Sequence, residues 1–205
     1  GNEISDITIE VRSIDGARLV EKTKVSDYQE TDDRIQAIVT IKDLIETGVE
    51  YNWILMVKIQ NETVRYYTRI IDSEGYNTYE KLLFVREFHD KTFDKERAKD
   101  LVTYLEPNSK GDNTTLSHVD IHSSLKQITW ADLNVSQISK PQIVISEIES
   151  QTASIRMHYR VQTKEGNKTD QYNVVEFFRI RHTPDRTYLL DYERSMNQIF
   201  DPAAD

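Results

Sequence analysis

The chain has no cysteine, and only four prolines and six glycines, in 205 residues. Without thiols there is no disulfide scaffold, zinc ribbon, thiol nucleophile or thioredoxin-type chemistry. It also lacks any apolar run near the roughly 18 residues of a membrane helix. The most apolar stretch, Trp53-Ile54-Leu55-Met56-Val57, has the length of a strand, so no direct membrane insertion is expected. Basic segments are missing as well: the net charge of −9 divides as −5 over residues 1–72, −3 over 73–136 and −1 over 137–205. The densest basic cluster, Arg179, Arg181 and Arg186, is diluted by Asp185 and Asp191. That balance argues against nucleic acid or an anionic membrane as the main partner. No phosphate loop, nucleophile elbow or dinucleotide fingerprint occurs, and Gly111-Asp112-Asn113 lacks the Lys-Ser/Thr of a P-loop, so no cofactor is expected.

What is present, 38% hydrophobic and 30% charged residues, describes an ordinary globular chain. Its length suits one large domain or two small ones, domains usually running about 100–150 residues. The start Gly1-Asn2-Glu3, without an initiator Met, reads as the remnant of a tag before an excised segment. The expectation is therefore a fragment of a larger, membrane-anchored or surface protein. Complete avoidance of cysteine points the same way, to an extracytoplasmic, secreted or cell-surface bacterial location.

Residues 5–72 alternate with period two, the pattern that places every second side chain on one face of a pleated sheet. Ile7, Ile9 and Val11 open the series, Asp15-Gly16 marks a hairpin, and Leu19 to Val25 returns from it. A third strand is expected on Ile35, Ala37, Val39 and Ile41, after the acidic loop Glu30-Thr31-Asp32-Asp33. Tyr51, Trp53, Leu55, Val57 and Ile59 share one parity that should be buried, and Asn61-Glu62 turns that strand into Val64, Tyr66 and Ile70. Short strands separated by turns predict an antiparallel β-sandwich over 1–73. Its last three strands resemble the second half of an immunoglobulin or fibronectin-type module.

At Tyr76 the period changes from two to 3.6, which predicts a second domain over 76–200. Tyr79, Leu82, Leu83 and Phe88 mark one helix. Asp94 is the N-cap of a second, where Ala98, Leu101, Val102 and Leu105 form an apolar stripe that ends at Pro107. The polar loop 109–113 is expected to be flexible, and 116–133 reads equally as strand or helical turn. Strands follow on 153–162, with Ala153, Ile155, Met157, Tyr159 and Val161 on one face and Ser154, Arg156, His158, Arg160 and Gln162 on the other, on Tyr172–His182, and on the stretch carrying Tyr188, Leu190 and Tyr192. Two helices and then long antiparallel strands make an α+β order. The helix ending Leu101-Val102-Thr103-Tyr104-Leu105-Glu106-Pro107, the strand Ala153–Val161 and the hairpin Phe177-Phe178-Arg179-Ile180-Arg181…Tyr188-Leu189-Leu190-Asp191-Tyr192 resemble the nuclear-transport-factor-2-like, cystatin-related family of cone-shaped α+β domains. The resemblance implies helices packed on a sheet, with a pocket between them that in some members holds acid–base residues. Glu176 and Tyr104 are the nearest equivalents here, with His158 a further pocket candidate.

Each candidate has a plainer reading beside it. Glu176 shares the parity of Tyr172, Val174, Phe178 and Ile180, so it could face the pocket as a base of raised pKa or form a salt bridge to Arg179 or Arg156. His118, Asp120 and His122 have a spacing that would hold a divalent cation with a fourth ligand, or they line a solvated strand face. His89 and Asp90 line a pocket mouth or simply end a helix. Trp53 and Trp130 read as core or interface anchors. Eleven tyrosines, several near the domain boundary and the last hairpin, suit a protein partner as well as sheet packing. Asn61, Asn113, Asn134 and Asn167 head Asn-x-Ser/Thr triplets that matter only for a glycosylated protein. No catalytic constellation emerges. The expected function is a non-enzymatic binding or assembly module, with a ligand-binding or enzymatic cone as the alternative.

Overall fold

The structure, a computed structural model, describes residues 4–31, 35–42, 45–166 and 168–200. Asn167, the acidic pair Asp32-Asp33 and the first three residues lie outside them. The architecture is a β-rich α+β fold, mostly antiparallel sheet with few helices, in two compact units, Gly1–Gly75 and Tyr76–Asp205. Among the described residues no helix is long and apolar enough to cross a membrane.

The first unit contains β1 (Ile4–Ser13), β2 (Leu19–Lys24), β3 (Tyr28–Glu30), β4 (Ile35–Ala37), β5 (Glu50–Ile59) and β6 (Glu62–Ile71). Four of them form an antiparallel sheet in the order β2-β1-β5-β6. The β1–β2 turn closes where Gly16 takes φ +75° and Asp15 Oδ1 accepts from Ser13 Oγ and the Ala17 amide, at 2.5 and 3.0 Å. Ile7, Ile9 and Val11 are buried, as their parity predicts, and Tyr51 is fully so. Trp53, Leu55 and Val57 are only half-buried, because little of the fold covers them. The expected third strand stops at Ala37 and pairs with β3 as a separate two-stranded ribbon rather than joining the sheet. Val39 still packs against the sheet's apolar face, but without ladder hydrogen bonds.

The second unit begins with α1 (Thr78–Thr92) and a 3-10 helix (Arg97–Thr103), followed by β7 (His118–Asp120), α2 (Leu125–Ile128), β8 (Val135–Gln137), β9 (Gln142–Ile148), β10 (Thr152–Glu165), β11 (Lys168–His182) and β12 (Thr187–Gln198). The sheet order is β7-β12-β11-β10-β8, and β9 also pairs with β10. Ala153, Ile155, Met157, Tyr159 and Val161 all face the core, with Arg156, His158 and Arg160 outside.

Three sequence expectations shift here. The buried stripe of α1 is Lys81, Val85, Phe88, His89 and Thr92, whereas Tyr79 and Leu83 are exposed. Three polar residues, Lys81, His89 and Thr92, occupy the stripe, which hides it from a hydrophobicity pattern. Lys81 is buried with its ammonium donating to the carbonyls of Glu149, Ser150 and Thr152, so it ties α1 to the β9–β10 turn. The second helix is of 3-10 type and has Glu96 rather than Asp94 at its N-cap position; Asp94 Oδ1, two residues earlier, accepts from the amides of Glu96 and Arg97, at 3.0 and 3.1 Å. With about three residues per turn, Ala98 and Leu101 stay inward while Val102 swings out to 52% exposure. On β12 the register shifts opposite Arg179 and Ile180, so Leu189 is buried and Leu190 faces out.

The loop before β7 is tied down rather than loose. The Asn108 amide donates to the His122 carbonyl at 3.2 Å, and Asn113 Oδ1 accepts from the Ser124 amide at 2.8 Å. A Cβ on Gly111 would lie 2.3 Å from that same His122 oxygen. We expect Gly111→Ala to cost about 1–3 kcal/mol by forcing these two backbones apart. Urea unfolding of the variant checks this; an unchanged midpoint would contradict it.

Candidate functional site

Strand alternation on β11 sends Val174, Glu176, Phe178 and Ile180 to the core, and the helical repeat of α1 brings His89 there one residue after Phe88. The two charged groups meet: His89 Nδ1 donates to Glu176 Oε2 at 2.6 Å, with His89 1% and Glu176 0% exposed. The other carboxylate oxygen accepts from the Tyr192 hydroxyl at 2.8 Å. On the far side of the imidazole, Nε2 donates to Gln137 Oε1 at 2.9 Å. The Gln137 amide cannot turn round without loss, because its Nε2 donates to the Ser139 carbonyl at 2.8 Å. Both imidazole nitrogens therefore face acceptors, which is the environment of an imidazolium.

Burial by itself would lower the His89 pKa, but the hydrogen bond and charge of Glu176, helped by Gln137 and Asp90, more than offset it, and the net shift is upward. Burial, reinforced by the Glu176 charge, pushes the phenols of Tyr159 and Tyr192 well above 10, against an opposing pull from Arg194. The Tyr159 ring stands edge-on to His89 with centroids 4.6 Å apart. Arg194, itself 0% exposed, donates to the carbonyls of Ile128 and Gln127 at 2.7 and 3.0 Å and lies 3.6 Å from the Trp130 ring centroid. Trp130 reaches that position in a left-handed conformation, φ +66°, just past the end of α2.

These groups form an acid–base set sealed inside the unit. Glu176 faces inward as one of its readings required, but its partners are His89 and Tyr192 and not Arg179 or Arg156. Arg179 pairs with Glu147, and Arg156 bonds Ser146 at 2.9 Å and lies over Phe177. His89 is a core residue rather than part of a pocket mouth or an exposed helix end; Asp90 beside it is exposed. His158 stands on the outer face of β10, opposite Val175 and Gln142, so the sheet separates it from Glu176. Tyr104 is half-buried and packs edge-on against Phe84 at 5.1 Å.

The spacing of His118, Asp120 and His122 does not converge. His118 Nδ1 lies 3.4 Å from Ser195 Oγ, His122 Nδ1 lies 2.9 Å from Asn108 Nδ2, and Asp120 Oδ1 accepts from the His122 amide at 2.9 Å. Strand β7 ends at Asp120 and the chain turns, which breaks the shared parity. Among the described residues no group of three or more His, Cys, Asp or Glu could hold a metal ion.

A second feature lies in the first unit. An apolar cleft of about 470 Å³ opens between the sheet residues Ile7, Ile9, Trp53, Leu55 and Val57 and the segment carrying Ile35, Val39 and Ile41. It is the space that the short β3–β4 ribbon leaves unfilled.

Sequence reasoning missed Gln137 and Arg194, and read His89 as a pocket-mouth or helix-end residue rather than a core one. Arg194 could have been found, since it shares parity with Tyr192 and Met196 on β12, and His89 by its spacing from Val85. Nothing local marks Gln137. Compared with known proteins, the chain matches no protein-family model and no curated protein sequence.

The raised pKa of His89 fixes the sign of a pH effect. A group whose folded pKa lies above its unfolded value stabilises fully below the unfolded value, about 6.5 for histidine, and loses that contribution as pH rises through the folded value. Urea unfolding of the wild type should therefore show a stability component that declines as pH rises above about 6.5 and that is missing in His89→Gln. A His89-dependent loss of stability on acidification through that window would contradict the assignment.

Proposed function

We propose that this protein is a non-enzymatic binding or assembly module, an extracytoplasmic piece of a larger bacterial surface or membrane-anchored protein. In this reading the first unit is an immunoglobulin-like sandwich and the second a nuclear-transport-factor-2-like cone. The observation that carries it is the closure of the second unit's interior. His89, Glu176, Tyr192 and Arg194 are at most 1% exposed, and each is engaged by protein groups. A substrate needs room and access, and here His89, Glu176 and Tyr192 are bonded to one another and Arg194 to backbone carbonyls, while the Tyr159 hydroxyl is buried without a hydrogen-bond partner among the described residues.

The fold assignments rest on arrangement. The β3–β4 ribbon shares an apolar cluster with one face of the four-stranded sheet, a second layer in small form. In the second unit, Val85 and Phe88 of α1 and Leu101 of the 3-10 helix join one core with β10, β11 and β12. A protein partner is favoured by the exposed tyrosines Tyr66, Tyr67 and Tyr79, at 56, 70 and 72%. The complete lack of cysteine suits life outside the cytoplasm.

The rival reading, a ligand-binding or enzymatic cone, draws on the pairing of His89, Glu176 and two tyrosines of raised pKa. Hydroxyl-radical footprinting of the native protein separates the two, because oxidation follows solvent access. Tyr66, Tyr67 and Tyr79 should be oxidised, and Tyr159 and Tyr192 protected until the protein unfolds. Oxidation of Tyr159 or Tyr192 at the rate of Tyr67 would overturn the sealed-interior reading in favour of the pocket.

A further inference from the structure

Strand β6 is an edge. Among the described residues it pairs only with β5, along its whole length from Glu50↔Ile71 to Ile59↔Glu62, and its other side is unpaired. Its ten residues, ETVRYYTRII, contain no proline, glycine or lysine, and no bulge interrupts the ladder with β5. Those are the usual devices that keep an edge from accepting another strand.

Cross-strand partners share a face, so the two sides of this edge can be read from the register. On one side Thr63, Arg65, Tyr67 and Arg69 continue the rows of Lys58, Met56, Ile54 and Asn52. Farther along the same face stand Arg12, Lys22 and Lys24. Glu10 offsets Arg12 and Lys22 at 2.9 and 3.0 Å, Asp6 offsets Lys24 at 2.9 Å and Glu50 offsets Arg69 at 3.1 Å. Lys58 and Arg65 are exposed and have no ion pair among the described residues, so this face is cationic on a chain of net charge −9. On the other side Val64, Tyr66, Thr68 and Ile70 neighbour Val57, Leu55, Trp53 and Tyr51.

We propose that β6 is a docking edge for an extended polypeptide partner in which acidic and apolar residues alternate. Added as a fifth strand, such a segment gains main-chain hydrogen bonds along the edge. It sets its carboxylates beside Arg65 and Arg69, and its apolar residues beside Val64 and Tyr66. Because the side-chain period is two, a one-residue slip would put apolar groups on the arginines, so the charges also fix the register. A second copy of the chain is a poor occupant: antiparallel pairing of two β6 strands about Tyr67 sets Arg65 opposite Arg69. The proposal rests on the binding-module reading and names the chemistry of its partner.

The test is calorimetric titration, at low ionic strength, with a peptide of alternating Glu and Val as long as β6. Saturable binding is expected. It should weaken about tenfold or more in Arg65→Glu/Arg69→Glu and with rising salt. The reversed-charge protein should instead take a Lys-Val peptide. The same Glu-Val peptide N-methylated along one edge should not bind wild type, a control that leaves the protein untouched if the double variant fails to fold. Absence of binding, equal binding by the charge-reversed protein, binding of heparin in place of the peptide, or self-association of the chain through β6 would each overturn the proposal. Failure here with Tyr159 and Tyr192 still protected from radical oxidation leaves the binding-module reading standing; their exposure sinks that reading whatever the peptide does.

Discussion

A carboxylate and an imidazolium 2.6 Å apart, neither touched by water, set the terms for the second unit. Removing two charges from solvent is costly, and their mutual attraction offsets the cost only when the remaining lone pairs and protons also find partners. Here they do. Tyr192 serves the second oxygen of Glu176, and Gln137 serves the second nitrogen of His89. The four side chains come from α1, β8, β11 and β12, so satisfying one ion pair fixes the positions of a helix and three strands of one sheet.

Two other buried cations also reach across elements to backbone carbonyls, although the Nε of Arg194 has no hydrogen-bond partner among the described residues. Lys81 draws its stabilisation from three carbonyls at the β9–β10 turn, and burial lowers its pKa. Arg194 takes two carbonyls at the end of α2 and the face of Trp130. Each reaches from one element to the backbone of another and so specifies how the elements meet. Aliphatic packing alone would leave that choice looser. The apolar cluster around Phe88, Phe178 and Tyr192 supplies the burial, and the polar contacts supply the register.

What could be read from sequence follows from which forces are local. Period-two alternation placed Ala153 to Val161 correctly and grouped Val174, Glu176, Phe178 and Ile180 on one face of β11, because a strand's pleat is a property of its own backbone, but apolar residues on both faces of β11 left open which one is inward. The Asp15-Gly16 turn was legible for a similar reason. The α1 stripe was not, since Lys81 and His89 are inward only by virtue of partners 68 and 87 residues away. Leu189 and Leu190 exchanged places through a register shift set by the neighbouring strand. Of the candidate site, Glu176 was singled out by parity with its direction left open, and its partner was sought among nearby arginines when it lay on a distant helix. The cationic face of the first unit was hidden for another reason. Summed along the chain, residues 1–72 are acidic, and only the pairing of β1, β2, β5 and β6 sorts lysines and arginines to one side.

On this account chemistry is turned inward in the second unit to hold the fold, while the first unit presents its edge, cationic face and apolar cleft outward for contact. The claim beneath it is that His89 is a structural residue whose charged form is stabilised by its buried partners, which raises its pKa. Nitrogen NMR of the His89 ring, followed through a pH titration across the ordinary histidine midpoint of about 6.5, tests that directly. Both ring nitrogens should stay protonated to a higher pH than that midpoint, with the Nδ1 proton shifted downfield by its bond to Glu176. Loss of a ring proton at or below about 6.5 would contradict it.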